Sequence, residues 1–229
     1  GLVVSLERMP HRIEMSVSDD GVGIFNKIAR DLRLEDTRHA VLELSKGKLT
    51  TDREHHTGEG VFFTMRMFDR FEILSGDLFF AYSQEEDNWL LEGETTEHKG
   101  TAIWMSIETE SSRTIQEVFD RYAAKEGDYS FTRTHFPVAL VRYGEENLVS
   151  RSQAKRLLAR LEPFREVLLD FKGIEFVGQA FADEIFRVYK NSNPHTQIIW
   201  LNASERVEGM IKRVLSSTDE LKPDSESKK

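Results

Sequence analysis

The chain has 229 residues, of which 39% are hydrophobic and 31% are charged, and its formal net charge is −9. This composition supports a buried core, so disorder throughout is excluded, and the length favours two small domains. The acidic balance argues against direct nucleic acid binding, which depends on neutralising phosphates. Because the sequence has no cysteine, disulfides and thiolate chemistry are excluded.

No apolar run approaches the roughly 20 residues that a membrane helix needs, and no signal-peptide pattern opens the chain. We therefore expect a cytoplasmic protein with no membrane contact. The chain starts at Gly1 and enters the apolar stretch Leu2-Val3-Val4 at once. We interpret it as a piece of a longer polypeptide.

The first half combines strand and helix patterns. Its predicted elements are strands over 2–7 and 12–18, helices over 24–32, 38–46 and 61–68, and strands over 71–75, 78–82, 88–92 and 101–107. Residues 46–56 are polar and show no regular spacing of apolar residues, so we expect a mobile loop there. This mixture predicts an α+β sandwich.

The second half alternates strands and helices. Its predicted elements are a helix over 115–122, a strand over 138–141, a helix between an N-cap at Ser150 or Ser152 and Pro163, a strand over 167–171, a helix over 181–189, a strand over 197–201 and a helix over 207–215. Such alternation predicts an α/β domain with partly parallel strands. The overall fold class is therefore α/β, with domains at 1–110 and 113–217 and a disordered tail at 218–229.

Two glycine turns carry the functional signal. The first is Asp19-Asp20-Gly21-Val22-Gly23 and the second is Thr57-Gly58-Glu59-Gly60, each between an extended or loop segment and a helix. Glycine allows close approach of a ligand to the main chain, and a helix N-terminus attracts phosphate. Two such turns in series, with a carboxylate at the head of the first, indicate a nucleotide pocket. The alternative for each is an ordinary turn, with an N-cap aspartate in the first.

Residues 1–110 resemble the GHKL ATPase family, which is shared by gyrase, the ninety-kilodalton heat-shock chaperones, histidine kinases and MutL. The two turns resemble the DxGxG box and the second glycine box of that family. The pair Gly100-Thr101, which opens a late strand, resembles the Gly-Thr pair that closes the adenine pocket. The resemblance implies that the cofactor is ATP, with Mg²⁺ in the full-length protein.

The resemblance also assigns roles to residues. Asp19 would accept a hydrogen bond from the adenine amine, and Thr101 would support it through a water. Gly21 and Gly23 would let the base lie against the main chain. The second box, residues 57–60, would hold the phosphates through Thr57, Gly58, Gly60 and the amides that follow. Lys46 or Lys48 would add a positive charge, Lys48 being the stronger candidate, although solvated loop charges are the competing interpretation.

One element of the family pattern is missing from the sequence. In the family, a helix before the first strand carries the N-box, with an Asn that binds Mg²⁺ and a Glu that activates water. No such helix stands before Leu2, so we predict no catalytic residue in this chain. His55-His56 is not interpreted as a metal site, because adjacent side chains seldom face one ion.

Residues 113–217 resemble the STAS-like domain of unknown function that follows such ATPase modules in some bacterial proteins. The motifs are the segments 169–174, Leu-Asp-Phe-Lys-Gly-Ile, and 178–184, Gly-Gln-Ala-Phe-Ala-Asp-Glu. Where phosphorylatable relatives have a Ser, this sequence has Gln179 and Ala180. Gln179, Asp183 and Glu184 form a candidate partner surface, or the acids complement the helix dipole.

Together these features favour a bacterial signalling protein in which an ATP-binding module is coupled to a STAS-like interaction domain that binds a protein partner. An alternative is an ATPase or a protein kinase, of the histidine or serine type, with an upstream catalytic helix. A second alternative is a scaffold without catalysis.

Overall fold

The computed structural model describes residues 1–49, 58–84, 88–123, 130–142 and 146–219. The chain divides into two compact units, which meet in sequence at Phe131 and Thr132. The sequence pattern had placed the boundary at 110–113. The difference is the helix that follows Thr114, which belongs to the first unit.

The first unit contains a four-stranded antiparallel sheet in the order β1-β2-β4-β3. Its elements are β1 (Leu2–Arg8), β2 (Arg12–Asp19), α1 (Ile24–Leu32), α2 (Arg38–Lys46), α3 (Gly60–Met67), β3 (Arg70–Ser83), β4 (Asn88–Glu108) and α4 (Ile115–Tyr122). Both early strands and the first four helices lie at the predicted positions, within a few residues.

The predicted meander of four short strands is wrong, because β3 and β4 form one long hairpin. Gly76 looked like a strand end in the sequence. In the structure it has a positive φ of 62° and marks a shift of register in the ladder, so the strand continues through it. A β-bulge of this kind bends a strand without ending it.

Burial on one face of this sheet falls steadily from β3 to β1. We call this the inner face; it carries Ile73 of β3, Ile103 of β4, Val17 of β2 and Val4 of β1, which lie side by side in register. Ile73 is fully buried, the two middle residues are half-buried, and Val4 is 61% exposed. The apolar side chains of β1 are therefore uncovered.

The helix α2 is buried on every side, although it carries charges. Lys46 donates to Glu43 at 2.8 Å, and both side chains are almost fully buried. A buried charge must be paired, since desolvation of a lone ion is costly. Lys46 is therefore part of the core, and its predicted role beside the phosphates is wrong.

The helix α4 starts with a capping box: Thr114 accepts from the Glu117 amide, and the Glu117 carboxylate accepts from the Thr114 amide. Its inner side packs on α3, where the rings of Phe119 and Phe63 stack at 4.0 Å. This aromatic contact is why the helix joins the first unit.

The second unit contains a parallel three-stranded sheet in the order β5-β6-β7. Its elements are β5 (Arg133–Pro137), a 3₁₀ turn (Val138–Val141), α5 (Arg151–Leu158), β6 (Glu166–Asp170), α6 (Gln179–Asp183), which continues through a π-helical stretch (Glu184–Tyr189) into α7 (Lys190–Ser192), β7 (Gln197–Leu201) and α8 (Glu205–Asp219). The predicted α/β class is confirmed.

The predicted strand over 138–141 is wrong. Its buried apolar residues form the 3₁₀ turn, and the strand is the more polar segment before it, Arg133–Pro137. Short apolar runs do not distinguish a strand from a helical turn by periodicity. The core of this unit lies around Phe136, Val167 and Leu169, which are fully buried.

Candidate functional site

A polar row closes one end of the inner face in the first unit. Asp19, the last residue of β2, lies directly opposite Thr101 of β4, and Thr101 lies opposite Ser75 of β3. Directly opposed residues of antiparallel strands share a face and are neighbours. The structure therefore brings together Asp19 and Thr101, which the sequence had assigned to one pocket.

The Thr101 hydroxyl fixes the start of α1. Its Oγ1 accepts a hydrogen bond from the Ile24 amide at 2.8 Å, which satisfies one of the amides that a helix N-terminus leaves unpaired. No side chain caps this helix from the N-cap position, Gly23. The hydroxyl proton of Thr101 is not used in this contact and can be donated to a second group.

The Asp19 carboxylate is held on one side and open on the other. Its Oδ1 accepts from the Gly21 amide at 2.7 Å, a local turn that fixes the side chain. Within the described residues, no donor contacts Oδ2. An oriented carboxylate with one unoccupied oxygen can accept a hydrogen bond from a ligand.

Two glycines allow the turn after β2 to pack on the polar row. Gly23 has φ 83°, and a Cβ there would lie 2.6 Å from the Ser75 hydroxyl. Gly100 has φ 82°, and a Cβ there would lie 2.0 Å from the Asp19 carbonyl oxygen. Both glycines thus serve contacts inside the protein. A Cβ at Gly21 would meet the Asp19 carboxylate itself, at 2.7 Å.

The second glycine turn forms a separate cluster at the start of α3. Gly58 has φ 74°, and a Cβ there would lie 2.4 Å from the Leu49 main chain. Gly60 is the first residue of α3, is exposed, and has open space where a Cβ would stand. The N-cap residue of α3, Glu59, makes no side-chain capping hydrogen bond, so within the described residues the first amides of the helix are available to an anion.

Lys48 belongs to this second cluster. Its ammonium lies 5.5 Å from the centre of the Phe131 ring, and the residue is half-buried. Burial lowers the pKa of Lys48, and attraction to Glu59 opposes that shift. Because Lys48 is half-buried beside an aromatic ring, it does not fit the alternative of a fully solvated loop charge.

Several predicted features lie outside the described residues. They are Thr57, the pair His55-His56 and most of the loop predicted over 46–56. Among the described residues, no group of three or more His, Asp or Glu side chains could hold a metal ion.

In the second unit, polar groups gather at the carboxyl end of the central strand. Asp170, the last residue of β6, accepts from the Asn202 side chain and the Lys172 amide, both at 2.9 Å. His135 Nε2 lies 3.7 Å from its Oδ2. Burial alone would raise the pKa of Asp170, but its interactions with His135, Asn202 and the Lys172 amide hold it below the ordinary value. This buried cluster ties the ends of three strands together.

The candidate partner surface at the start of α6 is different from the prediction. Asp183 accepts from Arg187 and is approached by Arg151 at 3.3 Å, while Glu184 is buried. Asp183 is therefore engaged within the unit and Glu184 is buried, so of these three residues only Gln179 is exposed. The helix α6 does begin at Gln179, so the position aligned with the phosphorylated Ser carries no hydroxyl.

Ser75 also belongs to this site, although no motif in the sequence predicts it. This buried side chain donates to the Gly100 carbonyl at 3.0 Å and supports the turn beside Asp19. A signal exists in the alternation of β3, where Phe71 and Ile73 face inward and position 75 breaks that apolar series with a hydroxyl.

Part of the second unit is similar to a known family. Residues 153–208 match the family model of the STAS-like domain of unknown function (DUF4325). The match runs from α5 to α8 and includes Asp170, Lys172 and Asn202 of the Asp170 cluster, but not His135. No curated protein matches the chain. In the described part of the chain, every helix is too short or too polar to cross a lipid bilayer.

Proposed function

We propose that the first unit binds ATP and that the chain is a regulatory protein that passes nucleotide state to its STAS-like domain. The observation that carries the proposal is the opposed pair of Asp19 and Thr101. It offers a fixed carboxylate acceptor beside a hydroxyl donor at the end of an apolar sheet face. Such a pair suits the amine edge of adenine above a flat apolar surface.

The second cluster supports the phosphate part of the proposal. The start of α3, which the side chain of its N-cap residue Glu59 does not cap, offers amides at Gly60 and the residues that follow, and Lys48 adds a charge nearby. Helix N-termini of this kind bind phosphate groups. Thr57 and Gly58 remain assigned to this role by the family resemblance.

The uncovered apolar side chains of β1 also support the family resemblance. In the GHKL family, a helix precedes the first strand, and it would bury Val4 and its neighbours on β1. The Mg²⁺ ligand and the catalytic base belong to that helix. No metal or hydrolytic role is therefore assigned to the residues of this chain, and phosphoryl transfer is left as an outcome of the test.

The test is isothermal titration calorimetry of the full-length protein with ATP and with GTP. We expect ATP to bind at least about tenfold more tightly than GTP, because Asp19 accepts from an amine that guanine replaces with a carbonyl. Asp19→Asn should remove the preference. The matched control is Asp20→Asn, since the Asp20 side chain lies in the same turn but is well exposed.

Equal loss of binding in both variants would contradict the proposal, and so would equal affinity for the two nucleotides or no binding at all. Release of phosphate, or its transfer to a protein, would favour the ATPase or kinase alternative.

For the second unit, we infer that the STAS-like domain binds a protein partner without being phosphorylated at the start of α6. Pull-down by the full-length protein with and without ATP tests that coupling.

A further inference from the structure

The sheet of the first unit has a second face, opposite the inner face. We call it the outer face; across its centre, Ser5, Ser16, Trp104 and Glu72 lie side by side in register on the four strands. Side chains alternate between the faces of a strand. Because Phe71 and Ile73 point to the buried inner face, this row points away from it.

Trp104 stands near the middle of the outer face and is 40% exposed. A tryptophan surrounded by polar neighbours on an open sheet buries little apolar area against the protein's own core, so it contributes little to the stability of the fold. Exposed tryptophans contribute strongly to binding surfaces, because they bury a large rigid area on contact. Trp104 and the half-buried Phe79 line a shallow cavity of about 750 Å³.

The same cavity is acidic. It is lined by the carboxylates of Glu7, Glu14, Asp69, Glu72 and Glu108 and by the guanidinium groups of Arg12 and Arg70. Arg12 is paired with Glu14 at 2.6 Å, and Arg113 pairs with Asp69 at 2.8 Å from beside the cavity.

Three acids of this cavity remain without an ion pair in the described part of the chain. They are Glu7 on β1, Glu72 on β3 and Glu108 on β4. Neighbouring strands are about 4.8 Å apart, so these charges are spread across the sheet and cannot converge on one ion. Charges spread in this way can pair with several cationic side chains of one extended peptide.

We propose that the outer face around Trp104 docks a lysine- and arginine-rich segment of a partner protein. One cationic side chain would lie over the Trp104 ring, where cation–π attraction favours a guanidinium. Its neighbours in the peptide would pair with Glu72 and Glu7. Charge complementarity selects this occupant, since nucleic acid and acidic peptides would be repelled. The proposal concerns the opposite face from the nucleotide site and is independent of it.

The test is fluorescence anisotropy of a labelled dodecapeptide of alternating Arg and Ser, with an alternating Glu and Ser peptide as the reference, titrated with the full chain. We expect saturable binding of the basic peptide only. Trp104→Ala should weaken it about tenfold, and Trp104→Phe should weaken it less, because a ring is kept. Glu72→Gln should weaken it about threefold.

The matched control is Glu175→Gln, which removes an exposed carboxylate from the second unit and should leave the affinity unchanged. Circular dichroism of each variant checks folding. An unchanged affinity in Trp104→Ala, or an equal loss in Glu175→Gln and Glu72→Gln, would overturn the proposal, the latter by showing general attraction to an acidic chain. Absence of any binding by the basic peptide would also overturn it.

Discussion

The sheets of the two units differ in how completely their apolar side chains are buried. In the second unit, the central strand is enclosed, and Leu169 is fully buried. In the first unit, Leu6 of β1 lies in register with Met15 and Met105 on the inner face, yet it is 68% exposed. Burial of apolar area is the main source of stability, so the second unit has a self-sufficient core and the first unit retains apolar surface for something else to cover.

The acidic groups show the same contrast. Asp170 in the second unit is buried, with its Oδ1 accepting from Asn202 and the Lys172 amide and its Oδ2 3.7 Å from His135, whereas Asp19 in the first unit is half-buried at a sheet end and, among the described residues, no donor contacts its Oδ2. A group whose hydrogen bonds are made internally stabilises the fold, and a group with an unused acceptor is available to a ligand. Ligand recognition is therefore to be sought in the first unit.

The two units should differ most in how much free energy of unfolding they lose when a leucine is replaced by alanine. Leu169→Ala should lower the free energy of unfolding by about 2–5 kcal/mol, because it leaves a cavity in a closed core. Leu6→Ala should change it by about 0.5 kcal/mol or less, because the side chain is already in water. Urea unfolding followed by circular dichroism measures both. Comparable losses in the two variants would mean that β1 is covered and would remove the contrast.

A smaller loss of stability is expected when a glycine with a positive φ is replaced by alanine in each unit. Gly100→Ala should cost about 2–4 kcal/mol, because a strained φ is combined with overlap on the Asp19 carbonyl. Gly173→Ala, at φ 74° with open space around it, should cost only the conformational strain, about 1–2 kcal/mol. Thermal unfolding of both variants gives the difference. If Gly173→Ala were the more damaging, the close packing of the turn after β2 would be refuted.

The smallest effect is expected from exchanging each carboxylate for an amide. Asp170→Asn should cost about 1–3 kcal/mol at pH 7, since it weakens a buried polar cluster. Asp19→Asn should cost less than about 1 kcal/mol, because the amide oxygen can still accept from Gly21.

The pH dependence of the Asp170 contribution has a definite sign. Its folded pKa is lowered, so its stabilisation is present above the unfolded value of about 3.9 and is lost as the pH falls through the folded value. Urea unfolding at pH 7, 4 and 3 should therefore show a smaller acid loss in Asp170→Asn than in the unaltered chain. Parallel curves would contradict the assignment.

Much of the local structure could be predicted from the sequence. The helices α1 and α2 and the strand β7 have the predicted bounds, because their apolar periodicity and their flanking turns agree. The predictions from the sequence were wrong where tertiary packing outweighed the local pattern. Gly76 looked like a break and is a bulge within β3, and Lys46 looked like a loop charge and is buried against Glu43.

The candidate site was predictable only in part. Its glycine turns and Asp19 are visible as motifs, but Ser75 has no motif and becomes meaningful only through its contact with Gly100. The acids at the start of α6 looked available to a partner. Asp183 is engaged by Arg187, one helical turn away, and by Arg151, which the fold brings to it, while Glu184 is buried.

The sequence by itself determined most of the helices, the position of the two glycine turns and the lack of a phosphate acceptor at Gln179. These are local properties, set by side-chain type and by spacing of a few residues. Only the tertiary structure decided that Asp19 faces Thr101, that β1 is uncovered and that Trp104 stands among acids. Those facts depend on strand register and on which faces are packed, and register is set by pairing between segments far apart in the chain.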